Sequence, residues 1–373
     1  MPATNSSPLA PITSPAHWVD APGLLVERLR AWQGQPTVAM DTEFVRERTY
    51  WPRLALVQMA VPGEVLLVDA TVEGMAEALR PFLADPSVIK VMHSASEDLQ
   101  AFKVGVGVVP RSLYDTQVGA ALAGLGAGLS YQKLVEAVSG VVLEKGETRS
   151  DWLRRPLSES QKAYAADDVR YLHAIHAEIE RRLVENGRRA WLIEDCERAV
   201  RQAEEDAPEV WPHLAMRSAQ FLDADAQARL LRLLRWRDAQ ARASDRPRSW
   251  ILDNELAVAL ARKPPADPQA FGTLLDAHPK APRRMRSALW ETLTAPLSDA
   301  ERAIPLAAAQ DDAYKRRLRK LQDAVADDRV NGVDHLVQCL RVIQQQIVFL
   351  GIAEHRQGAD HVNQSAEGGL IGL

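Results

Sequence analysis

Residues 37–44 read Thr-Val-Ala-Met-Asp-Thr-Glu-Phe, a strand pattern that carries two carboxylates. Val38 and Met40 form one apolar face of such a strand. Alternate strand residues point to one side, so Asp41 and Glu43 share a face, roughly 7 Å apart along the backbone. Two bare carboxylates so placed repel each other. The pair persists when a cation sits between them or when one keeps its proton. Mg²⁺ and Mn²⁺ prefer carboxylate oxygen ligands, so a divalent-metal site is one reading. An edge strand whose polar face meets water is the other. Further ligands elsewhere in the chain have to decide between them.

The chain has 373 residues, enough for two or three domains with real cores. Its two cysteines, Cys196 and Cys339, are far apart, fit no zinc spacing and suit a reducing compartment. Residues 1–16 are rich in Pro, Ser and Thr and lack a basic start followed by an apolar run. They predict a disordered lead-in and not a signal peptide. No apolar run is long enough to span a membrane, which predicts a cytoplasmic protein. The net charge of −5 argues against nucleic acid, but its distribution argues otherwise. Residues 209–320 hold 20 Lys/Arg against 14 Asp/Glu, a net of +6, which leaves −11 for the remainder. An acidic part joined to a basic part fits a metal-using site joined to a nucleic-acid grip. Two domains that dock electrostatically fit equally.

In chain order, residues 23–34 predict a short amphipathic helix ending at Gly34. Residues 53–61 and 64–69 predict strands, antiparallel across the Pro62-Gly63 turn. Residues 73–84 predict a helix and 88–93 a short strand, after which helices dominate. The pattern is a mixed sheet with helices packed on it. His93 to Phe102 sits where a strand hands over to a helix, with Ser96 as its N-cap and Asp98 in the first turn. Asp98 suits either a favourable helix-dipole charge or a third metal carboxylate. His93 reads as packing at a strand end. Gly119 to Gly128 lacks the Gly-Lys-Ser/Thr of a phosphate loop and suits close helix packing. Trp152, in the linker 151–156, suits either a base-stacking ring or a core side chain.

Ser158 and Gln161 form a capping box that opens a helix predicted to run to about Asn186. Within it Tyr164 and Asp168 are four apart and lie on one face. Asp167 points roughly 100° away. A Tyr and an Asp on an inward face need a partner to satisfy them; a solvent-facing polar stripe is the plain alternative.

Taken together, Asp41-x-Glu43 on a strand, Asp98 at a helix start and Tyr164-x-x-x-Asp168 on a later helix resemble the DEDD superfamily of 3′→5′ exonucleases. The histidine branch places a His where this chain has Ala163, so the tyrosine branch is indicated. Met-Asp-Thr-Glu-Phe-Val-Arg-Glu-Arg-Thr-Tyr, Ser-Glu-Asp-Leu and Tyr-Ala-Ala-Asp-Asp-Val-Arg-Tyr-Leu resemble the three motifs of the bacterial ribonuclease D family. The match covers roughly residues 20–200 and is specific as a set. It implies an α/β, ribonuclease H-like exonuclease domain over 17–208, a mixed sheet flanked by helices. It also implies two divalent ions, Mg²⁺ or Mn²⁺. By analogy Asp41 bridges both, Glu43 and Asp168 complete the first site, Asp98 holds the second, and Tyr164 hydrogen-bonds the attacking water.

The basic part resembles the HRDC domain, an all-α nucleic-acid-binding module, over residues 209–295. Asp253-Asn254-Glu255-Leu256 and the Pro-rich loop carry that likeness. Candidate nucleic-acid contacts are Arg229, Arg232, Arg235, Trp236, Arg248, Trp250, Arg283 and Arg284. For each of them a solvated charge, or a tryptophan in a leucine core, is the bland reading. Residues 296–373 predict a helical C-terminal region where the family often carries a second HRDC-like domain, here with a basic patch at 315–320 and an atypical tail. The function expected is a 3′→5′ exoribonuclease acting on RNA, with tRNA precursors as substrate by family analogy, no membrane and no obligate protein partner. The alternatives are a DNA exonuclease and a non-catalytic nucleic-acid-binding protein that keeps the fold.

Overall fold

The computed structural model describes residues 11–308 apart from 144, 145, 148, 149 and 280, together with residue 316. The chain divides into two units after Ala207.

In the first unit the strands are β1 (Ala16–Val19), β2 (Thr37–Val45), β3 (Arg53–Val61), β4 (Glu64–Asp69), β5 (Ile89–Met92) and β6 (Leu113–Asp115). They form one mixed sheet in the order β1-β4-β3-β2-β5-β6. The middle strands β2, β3 and β4 are an antiparallel meander. The outer pairings, β1 on β4, β5 on β2 and β6 on β5, are parallel. Gly63 takes a φ of 93° in the β3–β4 turn, a conformation that favours glycine. Every residue of β3 after Arg53 is buried, so helices cover both faces of the sheet centre.

The helices of this unit are α1 (Pro22–Ala31), α2 (Met75–Ala84), α3 (Ser96–Val106), α4 (Thr116–Leu122), α5 (Tyr131–Ser139), α6 (Glu159–Arg170), α7 (Leu172–Glu185) and α8 (Arg189–Glu205). Sheet and helices share one apolar core, with Met40, Leu56, Leu66, Phe102 and Ile175 in it.

Three expectations from the sequence change. Residues 11–16 are packed, not disordered. Ile12 is buried, its N–H donates to the Arg170 carbonyl at 3.1 Å, and the Arg170 guanidinium returns bonds to the Ile12 and Ser14 carbonyls. Residues 1–10 lie outside the described residues. The helix expected from Ser158 to Asn186 is two helices that part at Tyr171. Ser96 is the first helical residue and not the cap. The cap is Ala95, whose side chain has no polar atom to offer. Of the two readings of Trp152 the core one holds, at 3% exposed. The three- and four-residue strands β6 and β1 carry too little periodicity to be read from sequence.

The second unit is helical: α9 (Ala224–Ser244), α10 (Arg248–Ile251), α11 (Asn254–Arg262), α12 (Pro268–Ala277), α13 (Arg286–Thr294) and α14 (Asp299–Arg302). Asp223, Asp253 and Asp267 cap α9, α11 and α12 through their carboxylates. Leu230, Leu234, Leu260, Phe271 and Leu289 fill its core. Of the C-terminal region expected over 296–373, residues 296–308, with α14, and residue 316 are described; the rest of the expected second HRDC-like domain, of the basic patch and the tail lie outside the described residues.

Candidate active site

Three elements bring the acidic residues together. On β2, Asp41 stands opposite Gln58 and Glu43 opposite Leu56, and the register shifts between Glu43 and Phe44. Such bulges bend a strand and re-aim its side chains. Asp98 lies in the first turn of α3 and is 7% exposed. The corner before it is fixed by Asp115, whose carboxylate accepts from the Ser94 and Ala95 N–H groups at 3.0 and 2.9 Å and from Gln117 N–H at 2.8 Å. The α6 helix supplies Tyr164 and Asp168, whose side chains hydrogen-bond each other. The Thr42 hydroxyl, between the two β2 acids, donates to the Asp98 carboxylate.

The electrostatics follow from burying like charges together. Burial, then the Asp98, Asp168 and Glu43 charges, hold the Asp41 carboxyl well above the usual carboxylate range. Burial and the same repulsion from Asp168 and Asp98 push Glu43 to about 9. Burial raises Asp98 to about 7 against the opposing Thr42 bond. Asp168 is also raised to about 7, by burial and by Asp167, against the Tyr164 bond. Among the described residues no three His, Cys, Asp or Glu side chains close into a ready ligand shell. The donor chemistry nonetheless fits a hard divalent cation: four carboxylates, mutually repelling and, among the described residues, without a basic partner in a salt bridge. Gln58, across from Asp41, is fully buried with neither amide atom bonded among the described residues. Buried amides of this kind are satisfied by ordered water or a ligand shell.

Tyr164 is held from both sides. Its ring centroid is 6.1 Å from that of Trp152, and a Cβ at Gly146 would overlap it. The Trp152 segment is fixed by Arg155, which pairs with the buried Asp69 through Nε at 2.6 Å and also bonds the Ala55 and Trp152 carbonyls. Asp167 turns away and pairs with Arg170 at 3.1 Å. Both ring nitrogens of His93 serve the fold, Nδ1 with Thr116 Oγ1 at 2.9 Å and Nε2 with the Leu129 carbonyl at 3.1 Å.

The supporting residues Thr42, Gln58, Asp115 and Tyr131 were not singled out from the sequence. Gln58 alone left a signal there, a lone amide inside the apolar run of β3.

The candidate nucleic-acid contacts separate into two groups. Arg229 donates to the Ala261 carbonyl at 2.9 Å. Arg232 pairs with Glu301 at 2.6 Å and bonds the Thr292, Ala295 and Pro296 carbonyls. Arg235 donates to the Val210 carbonyl and lies over the Trp211 ring. Arg248 pairs with Asp238, Arg283 bonds the Asp276 and His278 carbonyls, and Trp236 packs against the helical core. These six side chains have internal partners, and four of them, Arg229, Arg232, Arg235 and Arg283, serve carbonyls that helix ends and loops leave open. Trp250, 57% exposed, and Arg284 face outward.

Comparison with known proteins matches this picture. The 3′-5′ exonuclease family matches residues 16–184, and the HRDC domain family matches residues 226–291. Fold and site thus define a 3′–5′ exonuclease joined to an HRDC domain. The chain is 58% identical over 311 residues to ribonuclease D of Xanthomonas oryzae, covering 83% of this chain and 85% of that one. It is 37% identical over 276 residues to ribonuclease D of Pseudomonas paraeruginosa, covering 73% of each. The crystal structure of Escherichia coli RNase D, described as an exoribonuclease involved in structured RNA processing, superposes with a TM-score of 0.68 at 28% identity over 86% of each chain. The chain belongs to the ribonuclease D family of 3′–5′ exoribonucleases.

Proposed function

We propose that this chain trims the 3′ ends of structured RNA, tRNA precursors foremost, using two divalent cations held by Asp41, Glu43, Asp98 and Asp168. The observation that carries the reading is the convergence of four mutually repelling carboxylates from β2, α3 and α6, with the Tyr164 hydroxyl on Asp168. Membership of the ribonuclease D family supports RNA as the substrate. By family analogy Asp41, Glu43, Asp98 and Asp168 would hold the cations, with Asp41 shared between them.

When bound, the cations supply Lewis-acid stabilisation of the phosphodiester and a water that ionises near neutral pH. The side chains set the geometry around them. Burial and the Asp168, Glu43 and Asp41 charges hold the Tyr164 phenol above its ordinary value, so Oη keeps its proton at neutral pH. Tyr164 therefore orients the attacking water and does not deprotonate it. Thr42 fixes the Asp98 carboxylate. Trp152 and Gly146 hold the Tyr164 ring in place.

The test is a 5′-labelled tRNA precursor with a 3′ extension, beside a matched DNA strand, in Mg²⁺ and in EDTA. The expected result is stepwise shortening of the RNA from its 3′ end, absent in EDTA and slower on DNA. Internal cuts, shortening that persists in EDTA, or RNA bound but left intact in Mg²⁺ would each overturn the proposal.

A further inference from the structure

Tyr131, the first residue of α5, is buried, and its hydroxyl lies between two backbone groups of another helix. It donates to the Asp167 carbonyl at 2.8 Å and accepts from the Tyr171 N–H at 3.3 Å. Residues 167 and 171 are four apart. In a continuous α-helix that N–H and that carbonyl would bond each other. Here the hydroxyl occupies that rung of the ladder, and the Tyr171 N–H is shared only with the Val169 carbonyl. At Tyr171, where α6 ends and α7 begins, the backbone stays in the right-handed region but at its edge, with φ −102° and ψ −9°. A side chain inserted into the i→i−4 ladder is a recognised cause of a helix break.

The broken rung lies next to Asp168. Asp167, whose carbonyl Tyr131 holds, immediately precedes it, and the Asp168 charge is near enough to raise the Tyr131 phenol after burial itself. The other side of the Tyr131 ring meets His93, with centroids 5.8 Å apart. His93 directly follows β5 and is bonded to Thr116 and Leu129. One ring thus ties the β5–α3 corner, which leads to Asp98, to the α6–α7 break, which follows Asp168.

We infer that Tyr131 is a positioning residue: by inserting its hydroxyl into the 167–171 rung it breaks the helix and sets where the Asp168 carboxylate points. Without the hydroxyl the rung closes and α6 runs on into α7, carrying Asp168 off its line. This rests on the proposed role of Asp168 as a metal-holding carboxylate; the helix break itself does not.

The experiment compares the full chain with Tyr131→Phe, which keeps the ring and removes only the inserted oxygen. Three quantities are read: the single-turnover rate on the 3′-extended RNA, the half-saturating Mg²⁺ concentration from its effect on melting temperature without RNA, and hydrogen exchange at the Tyr171 amide. A displacement of the order of 1 Å at a reacting centre slows reactions by about 100-fold, so kcat should fall about 10- to 100-fold with little change in KM. The half-saturating Mg²⁺ concentration should rise about 10-fold, as for other groups that orient metal ligands. Exchange at Tyr171 should slow as its N–H joins the ladder. Ile179→Val, a loss of one methylene from buried α7, should lower the melting temperature while leaving rate and Mg²⁺ response unchanged.

A Tyr131→Phe protein with normal kcat and Mg²⁺ response, or an Ile179→Val protein slowed as much, overturns the inference. Asp168→Asn separates it from the proposal beneath it. An active Asp168→Asn sinks the metal-holding role, whereas a dead Asp168→Asn beside a normal Tyr131→Phe sinks only the positioning role.

Discussion

The two units use buried charge in opposite ways. In the sheet unit four carboxylates are buried together with no basic partner among the described residues, and their proton affinities climb as a result. In the helical unit five of the six candidate arginines have internal partners. Arg232 alone ties Glu301 to three carbonyls around the end of α13. Charge that the fold leaves unanswered calls for something from outside, and charge that the fold answers serves the fold. Sequence position does not separate the two cases, because an arginine on an amphipathic helix looks the same in either.

Removing one unanswered charge should give the largest effect. Asp41→Asn should lower the cleavage rate by about 10³-fold or more, which is about 4 kcal/mol of transition-state stabilisation. In metal-free protein the same change should raise the melting temperature, because it relieves repulsion. Near-normal turnover in saturating Mg²⁺ or Mn²⁺ would remove Asp41 from the centre.

Tyr164→Phe comes next. The ring should still pack on Trp152, and kcat should fall about 10²-fold or less, the lower end for positioned proton-transfer groups. Asp167→Asn is the internal control, since that side chain turns away to Arg170, and it should keep most activity. An Asp167→Asn enzyme as dead as Asp168→Asn would show that the wrong face of α6 had been assigned.

The same contrast has a pH signature. The raised carboxyls make the folded chain bind more protons than the unfolded chain between about 4 and their folded values, so their part of the stability falls as pH rises. Lowered histidines such as His176, at about 4, act in the opposite sense below 6.5. Lys90, lowered to about 8 by burial, does so above that value. Between about pH 6.5 and 8 the carboxyls dominate. There the melting temperature of metal-free protein should fall with pH, and the increase on adding Mg²⁺ should grow. A Mg²⁺ effect that is flat with pH, or absent, would mean that the acidic centre is neutralised in some other way.

In the helical unit the prediction reverses. Arg232→Ala should destabilise that unit by about 1–3 kcal/mol, the range for breaking hydrogen bonds to a charged group, with little change in the salt slope of RNA binding. Trp250→Ala should hardly move stability. If Trp250 stacks on a base it should weaken RNA binding by about 1–3 kcal/mol. An Arg232→Ala protein of normal stability that has lost RNA affinity would mean that this arginine faces the substrate.

The acidic set was legible because strand and helix periods place its members without any tertiary knowledge. Asp41 and Glu43 alternate, and Tyr164 and Asp168 are one helical turn apart. The devices that aim them were not legible. Asp115 and Tyr131 act on backbone groups 20 or more residues away in sequence, and no local pattern marks such a bond. The break at Tyr171 is the clearest case. The residues around it are ordinary helix formers, and the cause lies 40 positions earlier. The N-terminal segment misled for a related reason: its Pro/Ser/Thr composition describes the free chain, whereas Ile12 and the Arg170 bonds hold residues 11–16 in place.

That N-terminal strap has a consequence for how the enzyme is made. Residues 12 and 14 leave the ribosome more than 150 positions before Arg170, the residue that fastens them. Synthesis proceeds at roughly 5–20 residues per second, so the strap waits on the order of ten seconds for its anchor. For nearly all of that time Asp168 has not been made either, so the four carboxylates proposed to hold the cations are not yet complete in a growing chain beside the cell's RNA.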